Sequence, residues 1–162
     1  MKQFGGYIPI HERHPTVIHF SVHLANGQGV YFTTKNVLER VQVPPETTLT
    51  VFFTLCQSDE FVLTLLYHQV PKYYAWNARN KKWDPRKSGQ IVPENLGIIS
   101  SDTLGGVYTI HPSNFECFHL RLLLHEVLGP TSFFRFKSVN GTVCKTFKQA
   151  FELRGLLEDD SH

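Results

Sequence analysis

NFECFHLRLLLHEVLGPTSFFRF, residues 114–136, is the strongest pattern in the chain. At 100° per residue Leu120, Leu123, Leu124 and Val127 fall on one stripe, which predicts a helix packed on a core. Ser113 or Asn114 is the expected cap, and Gly129-Pro130 the expected end. Cys117, Arg121 and His125 lie four apart and share another face. A thiolate beside a histidine is a candidate nucleophile, and Cys plus His is half a zinc site. Eight residues of helix span about 12 Å along the axis, so Cys117 and His125 cannot meet at one metal or pass a proton directly. The reading is therefore a core helix, with Arg121 paired to a carboxylate such as Glu116.

Outward from this segment the patterns are shorter. Downstream, Asn140-Gly141 predicts a turn, and KTFKQAFELRGLL (145–157) a final helix with Phe147, Ala150, Phe151 and Leu153 inward and Gly155 at its end. Upstream, VYTIH (107–111) predicts a short strand, and residues 88–106 are weakly patterned. VIHFSVHL (17–24) alternates with period two, and the turn Ala25-Asn26-Gly27-Gln28 leads to a returning strand at 29–32. ETTLTVFFTLCQ (46–57) predicts a helix capped at Thr47 or Thr48, and SDEFVLTLLYH (58–68) a second one capped by Ser58 and closed by Pro71. KYYAWNARNKKWDPRKSG (72–89) predicts a hairpin turning near Ala78 to Lys82. The sum is α+β: a single compact domain over 1–162 with two β-hairpins and about four helices.

Bulk composition sets outer limits. The chain has 162 residues, 41% hydrophobic and 19% charged, which suits one folded domain. A net charge of +2 does not by itself call for nucleic acid, so such a role has to rest on local clustering. Cys56, Cys117 and Cys144 form no CxxC pair, which predicts reduced intracellular thiols and no metal site. The N-terminus is too polar for a signal peptide, and no apolar run is long enough to span a bilayer, so no membrane partner is expected.

His19 and His23, four apart on a strand, are separated by about 13 Å and cannot chelate one ion. His11-Glu12-Arg13-His14 is a loop-like run with no ligand code. GTVCKT (141–146) faintly resembles the end of a phosphate-binding loop, but Cys144 stands where a glycine is needed and no glycine opens the motif. One constellation survives. Lys72, Arg79, Lys81, Lys82, Arg86 and Lys87 face a lone acid, Asp84, and are interleaved with Tyr73, Tyr74, Trp76 and Trp83. Cations that track phosphates beside rings that stack on bases are what single-stranded DNA binding requires. The competing reading is a twisted hairpin whose rings pack on the core and whose basic tip is merely solvated.

Several segments occur together in order: PIHERHPTV (9–17), VHLANGQGVYF (22–32), TTLTVFFTLC (47–56), TLLYHQVPKYYAWN (64–77), KKWDPRK (81–87), GVYTIHPSNFECFHLRLLLHEVLGPTSF (106–133), VNGTVCKTF (139–147) and LRGLLEDDSH (153–162). The set resembles the region joining the nuclease and helicase parts of Helitron rolling-circle transposases, often described as ATP-dependent DNA helicases. The resemblance implies a fragment of a larger polypeptide, a nuclear location, and the parent's nuclease and helicase domains as partners. ATP and Mg would belong to the helicase part, with no cofactor in this segment. His19-Phe20-Ser21-Val22-His23 has the wrong spacing for the family's nuclease motif, so no catalytic residue carries over. After the PTSF position the chain reads Phe133-Phe134-Arg135-Phe136-Lys137, where family members often carry acids. The expected function is a connecting, DNA-guiding module without its own catalytic centre. The alternatives are a docking scaffold without DNA contact and an enzyme using Cys117 or His125.

Overall fold

Thr47 begins the first long helix by a reciprocal exchange. Its hydroxyl accepts the Thr50 N–H at 3.2 Å, and the Thr50 hydroxyl accepts the Thr47 N–H at 2.8 Å. Two of the four orphan donors of the helix start are thereby answered. The helix, α1 (Thr48–Ser58), buries Leu49, Phe52, Phe53 and Cys56, the spacing of a single core-facing stripe. Burial of each Leu or Phe is worth about 1.5–3 kcal/mol relative to exposure. The computed structural model describes residues 16–25 and 45–160. The strand expected at 29–32, most of its turn and the run His11–His14 lie outside the described residues.

The second helix expected over 58–68 does not form. Ser58 is the last residue of α1, and Asp59 turns the chain into extended backbone. Two 3-10 turns follow, Val62–Thr64 and Tyr67–Gln69, with Leu65 and Leu66 extended between them. Tertiary contacts outweigh helix propensity in this segment. Asp59 accepts the hydroxyl of the distant Tyr74 as well as the Phe61 N–H of its own turn, and Gly129 donates its N–H to the Leu65 carbonyl at 2.8 Å. Gly129 sits at φ +54, and a Cβ there would lie 2.4 Å from Leu63 Cα. The expected stop signal is thus a chain crossing that admits only glycine. Pro71 does not close a helix either: it lies in the one-turn α2 (Val70–Tyr73).

From α2 the chain enters β2 (Tyr74–Asn77), which pairs antiparallel with β3 (Lys82–Pro85), as expected of 72–89. The weakly patterned stretch folds as a further hairpin, β4 (Gln90–Val92) with β5 (Asn95–Ser100), bulged between Ile91 and Val92. β6 (Leu104–Val107) pairs parallel with β1 (Val17–Phe20), in the register Ile18 to Gly105. Both strands differ from expectation. β1 stops at Phe20, and β6 starts earlier than 107 and ends there. Arg121 takes the Val107 and Tyr108 carbonyls at 3.2 and 3.0 Å, which draws the chain off the ladder.

α3 (Phe115–Leu124) carries the leucine stripe; Leu120, Leu123 and Leu124 are buried on it, and Val127 is buried in the turn beyond. The helix ends at His125, four residues before Gly129. α4 (Phe133–Lys137) is capped by Ser132, and β7 (Ser138–Val139) and β8 (Thr142–Val143) close around Asn140-Gly141. Those two turn residues take φ 49 and 84, the left-handed pair a tight hairpin needs. α5 (Phe147–Asp160) runs through Gly155 rather than stopping there. It packs on α3, with Phe147 and Ala150 buried and Phe151 and Leu153 partly so. The fold is α+β, a compact arrangement of helices and small sheets about one core in which the rings of Phe20, Phe52, Tyr67 and Trp83 interlock.

Candidate nucleic-acid interface

Strand alternation sorts the aromatic and basic residues of the β2–β3 hairpin. Trp76 lies opposite Trp83 and Tyr74 opposite Pro85, so the rings share the inner face. Ala75, Asn77, Lys82 and Asp84 share the outer one. Trp83 is buried and donates its indole N–H to the Thr48 carbonyl at 3.1 Å. Its ring meets Phe20 edge-on at 5.7 Å. Tyr74 is buried as well and donates its hydroxyl to Asp59. Burial, and then the hydrogen bond and charge of Asp59, raise the Tyr74 hydroxyl above its ordinary range.

Two of the four expected stacking rings are thereby corrected. Tyr74 and Trp83 are core residues with no free face for a base, because period-two alternation turns them toward α1. Trp76 is half-buried, its ring 5.2 Å from that of Trp83. Tyr73, also half-buried, stands edge-on to Phe61 at 4.8 Å.

The cations divide into two groups. At the tip, Asn77 accepts the Asn80 N–H at 3.0 Å, and Lys81 takes φ 54 to complete the turn. Arg79, Lys81 and Lys82 are exposed there, with Asp84 reaching Lys82 at 3.6 Å. At the base, Arg86 donates to the Pro71 carbonyl at 2.8 Å and so braces the hairpin against α2. Lys87 and Lys72 are exposed, Lys72 lying 5.8 Å from the Tyr73 ring centre. Residues 72–87 carry six cations and one acid, a net +5, in a chain of net +2; the remainder is therefore net −3. Residues 72–87 hold the densest excess of positive charge in the sequence.

Lys72 and Tyr73 also line a cavity of about 420 Å³ together with Phe61, Thr64, His68 and Gln69. The last three were not legible as site residues, because their segment has the period of a helix and no motif. His68 stacks on His125 at 5.2 Å, and burial, then the charge of His125, lowers its pKa.

No protein-family model matches this chain, and no curated protein matches it. Cys117 is buried against the Val22 carbonyl at 3.4 Å, and burial raises its thiol pKa. His125 spends one ring nitrogen on the Arg121 carbonyl at 2.9 Å. The expected Arg121–Glu116 pair is absent, since Arg121 holds the end of β6 and Glu116 caps α5. His19 stacks on Tyr108, whereas His23 bonds Thr47 at 2.8 Å. Cys56, Cys117 and Cys144 are free thiols. Among the described residues no three His, Cys, Asp or Glu side chains gather, and no helix is long and apolar enough to cross a membrane.

Proposed function

We propose that this chain is a non-catalytic connecting module of a Helitron-type helicase–transposase, guiding single-stranded DNA past the exposed tip of the β2–β3 hairpin. The observation that carries the reading is the net +5 of residues 72–87 on an otherwise acidic chain, with Arg79, Lys81 and Lys82 all exposed at the tip. Rigid bracing supports it: Trp83, Tyr74 and Arg86 anchor the hairpin to α1, Asp59 and α2, so the tip projects at fixed geometry. The parentage rests on the ordered sequence segments. On that reading the module works in the nucleus, between the parent's nuclease and helicase parts, with ATP and Mg belonging to the latter.

Binding of a labelled oligonucleotide over a salt series tests the proposal. Three phosphate contacts contribute about 2 to the log–log salt slope for a single strand. Arg79, Lys81 and Lys82 changed together to Glu should remove that slope and most of the affinity. Unchanged affinity and slope would overturn the DNA role. Arg86 is left intact because its loss would also loosen the hairpin.

A second reading, a docking scaffold without DNA contact, is favoured by Phe115, Leu128 and Phe134, which are large, apolar and more than half exposed. Concentration-dependent self-association of the wild-type chain without any oligonucleotide shift would favour it.

A further inference from the structure

The cavity at the foot of the hairpin has the chemistry of a small-ligand site. At about 420 Å³ it falls at the lower end of the range such sites occupy, about 300–1,000 Å³. One wall is aromatic: Phe61 and Tyr73 meet edge-on at 86°. Thr64, His68 and Gln69 supply neutral polar groups, and Lys72 supplies a single cation beside the Tyr73 ring. β6 closes the far side by an unusually tight approach. A Cβ on Gly105 would fall 2.3 Å from the His68 carbonyl oxygen.

The polar groups are incompletely used. Gln69 spends its side-chain oxygen on the Leu66 N–H at 2.8 Å, which leaves its NH₂ group as a donor. His68 Nδ1 is buried without a hydrogen-bond partner among the described residues. That atom is closed off from the cavity, so the free donor facing a ligand there is the Gln69 NH₂ group. Burial and the stacked His125 favour the neutral His68 ring, so that ring adds no charge to the cavity wall.

We propose that this cavity takes one nucleotide, its base against the Tyr73–Phe61 wall within reach of Gln69, its phosphate at Lys72. A planar heterocycle bearing one anionic group matches the aromatic wall, neutral donors and lone cation. Lys72 and Tyr73 lead directly into β2, so the cavity and the basic hairpin are continuous along the chain. The inference deepens the single-strand reading and, for a base within a strand, rests on it. A free nucleoside monophosphate would satisfy the same chemistry.

The experiment uses the full chain and two probes. Nucleoside 5′-monophosphates are titrated against ¹⁵N-labelled protein, reading the amides of residues 64–70, 72–73 and 103–105. In parallel, a ten-nucleotide strand is compared with an abasic strand of equal length by fluorescence anisotropy. Loss of one stacked base should weaken binding by about tenfold. Leu104→Trp fills the cavity from its half-exposed rim, and Lys72→Gln removes the cation; thermal melts confirm that both fold. Either the monophosphates shift those amides, or the base-bearing strand binds more tightly than the abasic one, and Leu104→Trp abolishes the effect. Amide shifts alone identify a free nucleotide as the ligand; strand discrimination identifies a base held in the chain. Amides that stay still while both strands bind equally would overturn the cavity proposal and leave the hairpin reading standing. Discrimination that survives Leu104→Trp would also overturn it. A monophosphate that binds while no strand does would sink the hairpin reading instead.

Discussion

Trp83 donates its indole N–H to the carbonyl oxygen of Thr48 at 3.1 Å, fastening the basic hairpin to the first turn of α1. The tryptophan is buried against Phe20 and beside Trp76, so its role is mechanical. Trp83→Ala should cost about 3–5 kcal/mol by urea unfolding, because a large cavity opens in the core. Trp83→Phe keeps most of the packing and should cost less, with about 1 kcal/mol from the lost hydrogen bond. If Trp83→Ala unfolds at the wild-type midpoint, the indole is not the anchor described.

Glu116 places its carboxylate on the start of α5, accepting the Phe147 N–H at 3.0 Å and the Lys148 N–H at 3.1 Å. A residue in the first turn of α3 thus caps another helix, where a negative charge also meets the positive end of the helix dipole. Glu116→Ala should lower stability by about 1–2 kcal/mol, and Glu116→Gln by less, since one acceptor oxygen survives. Chemical denaturation of both variants checks the order, and equal losses would contradict the assignment.

Thiol reactivity should separate the three cysteines. Burial, with a smaller contribution from Asp59, pushes the Cys56 thiol up to about 12. Cys117 is also buried and its pKa raised, whereas Cys144 is partly exposed. At pH 7.5 iodoacetamide should modify Cys144 first and the other two only after denaturant is added. Rapid modification of Cys117 in the native protein would instead revive the enzyme reading.

Acid should weaken the fold through His68. Its folded pKa is lowered by burial and by His125, while the unfolded value is about 6.5. Between those two values the unfolded chain binds more protons. The stability contribution is therefore complete above pH 6.5 and is lost as pH falls through the folded pKa. His125 stacks on the ring and Lys72 shares its cavity, so no carboxylate among those lining residues compensates the new charge. His68→Phe should keep the stack and flatten this part of the melting-temperature profile between pH 7.5 and 5.5. An unchanged slope would place the titration elsewhere.

Local periodicity was enough to read α1, the leucine stripe of α3, the Asn140-Gly141 turn and the β2–β3 hairpin. Each is fixed by residues within a few positions of one another: Thr47 with Thr50, Leu120 with Leu124, Trp76 with Trp83. The segment 58–68 misled because its apolar spacing suits a helix, while the partners that bend it, Tyr74 and Gly129, are distant in sequence. Arg121 is a similar case, since the carbonyls it holds become neighbours only after β6 pairs with β1.

The sequence by itself determined the α+β class, the main helix faces and the concentration of cations in 72–87, because these depend on residue order and charge alone. Only the tertiary structure decided which rings of that hairpin are core and which remain half-open, and that Lys72 and Tyr73 share a cavity with His68. The reason is physical: burial and unsatisfied hydrogen-bonding capacity are properties of what surrounds an atom, and those surroundings come from segments far apart in the chain.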